Sequence, residues 1–101
     1  MKKSSRRKTR FKFSVYIARP TQESDAALAR LRKLCDEAIP KNYYIKVIDL
    51  SKNPELARDH DIVATPAVFR TLPAPVRRSI GNLTNKDKTL LGLDLRPMEA
   101  D

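Results

Sequence analysis

The sequence predicts an α/β domain whose N-terminal half is a βαβα unit, and three observations carry that reading. Two short stretches, residues 11–18 and 43–50, have the aromatic and β-branched composition of strands. Between them, apolar residues recur at three- and four-residue spacing, the mark of an amphipathic helix. After the second strand, a short helical signal leads into Ala64-Thr65-Pro66, which opens another apolar run. A chain of 101 residues, 41% of them hydrophobic, has room for one modest core and one domain.

The elements follow in order. Phe11-Lys12-Phe13-Ser14 alternates apolar and polar residues before Val15-Tyr16-Ile17-Ala18 becomes continuously apolar, as in a strand entering a buried sheet. Arg19-Pro20 breaks it. Thr21 or Ser24 can cap the next helix, with Glu23 in its first turn. Over residues 25–39, Leu28, Leu31, Leu34, Cys35 and Ala38 share one face, and Pro40 ends the helix. Residues 43–50 form the second strand, parallel to the first because a helix joins them. Asn53 is placed as N-cap of a short second helix, with Pro54 at its first position.

The C-terminal third admits two readings. In one, residues 67–72 and 76–81 form a hairpin, and Thr84 or Asn85 caps a helix carrying Leu90, Leu91 and Leu93. In the other, residues 75–80 are a helix with Pro75 at its first position, and residues 90–95 are a strand. Local signals support both, a conflict of the kind a uniquely folding sequence avoids.

Charge is unevenly placed. Seven of the 21 basic residues lie within the first twelve positions, with no acid among them. The remaining 14 stand against all 12 acidic residues, so the folded body is nearly neutral. Residues 1–10 are expected to be a basic disordered tail, residues 11–96 the domain and residues 97–101 a flexible C-terminus. As a function, the tail would be an arm for nucleic acid or an acidic partner. The absence of any aromatic residue before Phe11 favours a solvated end instead. No apolar run approaches the 18 residues that a membrane helix needs, and no apolar segment follows the basic start as in a secretory signal. A single cysteine excludes an intramolecular disulfide and suits a reducing cytoplasm.

Candidate chemistry is sparse. Cys35 lies on the apolar face of the first helix, and the sole histidine, His60, lies on another element. A buried structural cysteine is the simpler reading than a nucleophile. Asp59-His60-Asp61 offers acid and imidazole, but adjacent residues point apart, and no further ligand cluster implies a metal. Only Gly81 and Gly92 are available for phosphate loops, so no nucleotide site is expected, and no cofactor. The Thr65-Pro66 loop is the way thioredoxin-like folds present a loop, often with a cis peptide, beside a Cys-x-x-Cys. This chain lacks that dithiol, which points to a binding module. By period-two alternation Tyr44 and Lys46 face the same way on the second strand, which reads equally as a protein-binding surface or as a tyrosine that caps the sheet. Arg77-Arg78, beside Leu72 and the prolines, reads as either an acidic-partner contact or a solvated face.

The order of these motifs resembles the KaiB family. It is carried by Tyr16-Ile17-Ala18, Lys46-Val47-Ile48-Asp49-Leu50, Lys52-Asn53-Pro54-Glu55-Leu56-Ala57 and Ile62-Val63-Ala64-Thr65-Pro66. Leu72-Pro73-x-Pro75-Val76-Arg77-Arg78, Ile80-Gly81-Asn82-Leu83 and Leu90-Leu91-Gly92-Leu93-Asp94-Leu95 extend it across residues 11–95.

The resemblance implies a non-enzymatic regulator that binds the N-terminal ring of a KaiC-type ATPase, in circadian or stress-linked regulation. It implies a metamorphic chain, in which a ground state, tetrameric or dimeric, exchanges with a thioredoxin-like monomer that binds KaiC. By position, Tyr44 and Lys46 fall on the KaiC-facing surface, and Phe11, Gly92 and Asp94 bias the balance between folds. Isomerisation at Pro66, Pro73 or Pro75 is an implied slow step. A KaiA-like protein or sensor kinase is a further implied partner. The chain departs from the family in having Arg19-Pro20-Thr21-Gln22 after the first strand, Ala26 where an arginine is usual, and a longer basic tail. The alternatives from other classes are a degenerate thioredoxin-like redox protein using Cys35 and a nucleic-acid binder acting through the tail.

Overall fold

A computed structural model describes residues 10–81 and 83–95. The elements run β1 (Phe11–Ile17), α1 (Gln22–Ala38), β2 (Tyr43–Asp49), α2 (Glu55–Asp59), β3 (Ala67–Leu72), β4 (Arg77–Ile80) and α3 (Lys86–Leu93). The strands form one sheet in the order β2-β1-β3-β4. β1 and β2 are parallel, with Ser14 beside Lys46, as the intervening helix requires. β3 runs antiparallel to β1, and β4 antiparallel to β3. Of the two readings of the C-terminal third, this is the hairpin followed by a helix; residues 75–80 are not helical here.

The sheet is covered unequally. One face carries Phe11, Phe13, Val15, Ile17 and Val68, packed with Leu31, Cys35 and Ile39 from the α1 segment and with Leu83, Leu93 and Leu95. Each such side chain contributes roughly 1.5–3 kcal/mol by leaving water, so this layer supplies most of the hydrophobic stabilisation. On the other face a smaller cluster of Tyr16, Leu50 and Ala67 packs with Ile48, Leu56, Ala57, Ile62 and Phe69. With five residues, α2 covers only one end of that face.

The helix ends show how local chemistry sets the boundaries. The Ser24 amide donates to Thr21 Oγ1 at 3.1 Å, and the Thr21 amide donates to Ser24 Oγ at 2.9 Å. Both residues therefore act as one reciprocal cap, and α1 starts three residues before the apolar spacing does. Asn53 does not cap α2 through its side chain: Pro54 stands at the N-cap, and the Asn53 carbonyl accepts from Leu56 instead. The Ala57 amide likewise donates to the Pro54 carbonyl at 3.2 Å, so the first-turn amides are satisfied without a side-chain cap. Asn85, rather than Thr84, caps α3, its Oδ1 accepting from the Lys88 amide at 2.9 Å.

Both shorter helices end on an aspartate in the left-handed region. Asp61 (φ 56°) follows α2, and Asp94 (φ 52°) follows α3. The amide of Leu95 donates to the Leu90 carbonyl, and that of Asp94 to Leu91, the paired bonds of a Schellman ending. Ile62 and Asp61 make the same two bonds to Ala57 and Arg58. The peptides before Pro66, Pro73 and Pro75 are all cis.

Candidate functional site

The chemistry that a thioredoxin frame performs sits where the first helix begins, beside the cis-proline loop. Here that place is a shallow groove of about 410 Å³ lined by Glu23, Ala26, Arg30, Thr65 and Pro66. Thr21 and Ser24 occupy the helix start with their mutual cap. The chain's one thiol lies elsewhere, fully buried under the sheet at Cys35. Burial, together with the negative charge of Asp36, pushes that thiol up to about 12, although Arg32 pulls the other way. A thiol so protonated and enclosed is a poor nucleophile. His60 is on the other side of the sheet, its ring 5.5 Å from that of Tyr16, so no thiol–imidazole pair forms. Among the described residues no group of three metal-ligating side chains comes together.

What the fold does present is an open half-sheet. The registers of the three strand pairs align Lys46, Ser14, Phe69 and Arg78 in a row across all four strands. Side chains aligned in this way share a face, the one that α2 covers at its far end. Lys46 and Arg78 are exposed at the two edges, with Ser14 and Phe69 half-buried between them. One step along the sheet, Tyr44 lies beside Lys12, both exposed. A groove of about 560 Å³ runs from Lys46 past Tyr16 and Ile48 to Lys52, Leu56 and His60.

β2 is an edge strand, so its outer backbone groups have no partner strand in the described chain. Tyr44 is 56% exposed and Val47 41%, which makes this edge apolar as well as basic. The alternation that places Tyr44 and Lys46 on one open face is present as expected. Tyr43 points the other way: its hydroxyl donates to Asp36 Oδ1 at 2.6 Å and ties β2 to the end of α1.

Of the three positions implied to bias the folds, Phe11 lies in the core, and Gly92 and Asp94 are partly buried in and after α3. Phe11 is buried and stacks near Phe13, ring centroids 6.5 Å apart. Gly92 lies in α3 against β4, where an added Cβ would sit 3.5 Å from the Arg78 carbonyl oxygen. Asp94 is the left-handed residue closing α3. Sequence reasoning missed Arg70, which is 3% exposed on the core face of β3. The one signal was a lone cation inside the apolar run Ala67-Val68-Phe69-Arg70-Thr71-Leu72. Residues 1–9 of the basic tail, and residues 96–101, lie outside the described residues.

Fold and site together define a thioredoxin-like protein without the redox centre of that fold, offering a basic and aromatic half-sheet in its place. Solved structures agree on the fold. The N-terminal domain of SasA from Synechococcus elongatus superposes with a TM-score of 0.69 at 18% identity, over 81% of this chain and 79% of that one. The Drosophila thioredoxin Deadhead gives 0.60 at 13% identity, over 81% and 78%. Sequence comparison is more specific. A family model described as the KaiB domain matches residues 14–95. The circadian clock oscillator protein KaiB of Thermosynechococcus vestitus is 45% identical over 89 residues, covering 88% of this chain and 82% of the relative. That of Synechococcus elongatus is 44% identical over 91 residues, covering 90% and 88%. The chain belongs to the KaiB family of circadian clock proteins.

Proposed function

We propose that this chain is a non-enzymatic regulator that docks on the N-terminal ring of a KaiC-type ATPase in its thioredoxin-like state. Membership of the KaiB family is the observation that carries the reading. The half-sheet is physically suited to it. Tyr44 supplies a large amphipathic contact, and Lys46, Lys12 and Arg78 supply positive charge for an acidic partner surface. The exposed β2 edge offers the same surface to a KaiA-like protein or a sensor kinase. No membrane association is proposed: no helix among the described residues is long and apolar enough to cross one. The site of action is the cytoplasm.

The hairpin state competes, in this reading, with a packing in which residues 75–80 are helical and residues 90–95 extended. That second packing assembles as a tetramer or dimer, and the hairpin state acts as a monomer. Phe11, in the core, Gly92, against β4, and Asp94, closing α3, are the positions assigned in this reading to bias the balance. If the competent state is a small fraction of the chain, apparent affinity falls by that fraction and capture is slow.

The test is capture of the full chain by a KaiC from the same genome, with and without ATP, followed over hours. Nucleotide-dependent capture that develops slowly is the expected result. Absence of capture under every nucleotide condition would refute the partner.

A further inference from the structure

Arg70 is the strangest residue of the core. Its guanidinium is taken out of water, its Nε has no hydrogen-bond partner among the described residues, and it stands directly across from Arg77 on β4. Burial is the main reason its basicity is lowered, and Arg77 lowers it further. Each of these is a cost. The compensation comes from three places. Nη1 donates to the Pro73 carbonyl at 2.9 Å and Nη2 to the Pro75 carbonyl at 3.3 Å. The guanidinium carbon lies 5.9 Å from the centre of the Phe11 ring, within cation–π range. Asp94 at the end of α3 attracts it.

Two of these compensations exist only in this packing. If residues 75–80 were helical, the Pro75 carbonyl would face the amide of Ser79 one turn on. If residues 90–95 were extended, Asp94 would leave the left-handed position that closes α3. Phe11 belongs to β1 and is common to both arrangements. We infer that Arg70 is the latch that selects the hairpin packing of residues 67–81 over the helical packing that the same residues also encode. It does so by clamping the Pro73–Pro75 turn from inside while reading the end of α3. The inference rests on the two-packing proposal above and names the residue that sets its balance.

The latch makes an asymmetric claim that a merely structural arginine does not. Losing it weakens one packing and leaves the other intact. Arg70→Met keeps the stem over Phe11 and removes the charge and both bonds; Arg70→Lys keeps the charge but cannot span two carbonyls. Backbone NMR of the full chain reports whether residues 76–80 are extended or helical, and in what ratio. The Pro75 bond and the Asp94 attraction belong to the hairpin packing alone, so Arg70→Met should lower the hairpin share about tenfold, with Arg70→Lys between. Adding Gly92→Ala, which favours α3, should recover part of the loss. An unmoved ratio overturns the latch, and so does an Arg70→Met chain that unfolds without residues 76–80 ever becoming helical. Failure of KaiC capture with the ratio shift intact would sink the partner and spare the latch. The converse result would do the opposite.

Discussion

Two titratable groups make the physics of single residues measurable. The Cys35 thiol is enclosed and held up to about 12, so native protein should resist alkylation by iodoacetamide at pH 8, where an exposed thiol reacts. Labelling should track global unfolding in denaturant; fast labelling of the native chain would return Cys35 to candidacy as a redox group. Tyr43 is also held near 12, chiefly because its hydroxyl donates to Asp36, with burial adding to it. The bond needs the protonated phenol, so its contribution is complete below the ordinary tyrosine value near 10. It is lost as pH rises from there to about 12. Tyr43→Phe should therefore be less stable than wild type at pH 8 and converge with it toward pH 12. Its absorbance titration should lack the tyrosinate that forms near pH 12. Equal stability at both pH values would show that the bond contributes nothing in solution.

At the scale of elements, the last turn of α3 holds a glycine where the backbone needs none. Gly92 is helical, and the atoms nearest an added Cβ are 3.5 to 3.9 Å away, ordinary contact distances. Gly92→Ala should stabilise the present fold by about 0.5–1 kcal/mol through the unfolded chain's lost freedom. A rise of a few degrees in Tm is the expected outcome; a fall would mean that β4 and α3 pack closer than they stand here. The βαβα half was legible because each element there obeys one period: alternation in β1, three-and-four spacing in α1, and Pro40 after it. The C-terminal third was not, because proline at position 75 starts a helix as well as it ends a turn. What separates the readings is remote in sequence. Arg70 follows Val68 onto the core face by alternation and lies beside Phe11, and Thr71, just beyond it, is the extra residue of a bulge against Lys12 and Phe13. Leu83 reaches the core from a left-handed backbone (φ 65°) that no leucine announces. Of the half-sheet, Tyr44 and Lys46 could be read from alternation alone. Arg78 joined them only through the β3–β4 register, and Arg70 carried a signal that its apolar neighbours concealed.

For the whole molecule, the separation of charges matters more than their sum. The acidic residues of the described body lie on the helices and loops, apart from Asp49 at the end of β2, and the open half-sheet carries Lys12, Lys46 and Arg78. Lys46→Glu on the exposed edge should therefore leave the melting curve unchanged and slow KaiC capture, by roughly tenfold or more at low salt, with the deficit shrinking as salt rises. Capture at the wild-type rate would move the docking surface elsewhere on the molecule. The row across the sheet has one more property. Lys46 and Ser14 come from the chain before residue 50, whereas Phe69 and Arg78 come from beyond residue 66. Neither half of the chain holds the pattern alone, so the row works as a registration mark. A rigid partner that spans it from edge to edge accepts only a finished chain and passes over a nascent or half-assembled one; a partner gripping β2 alone is blind to the difference.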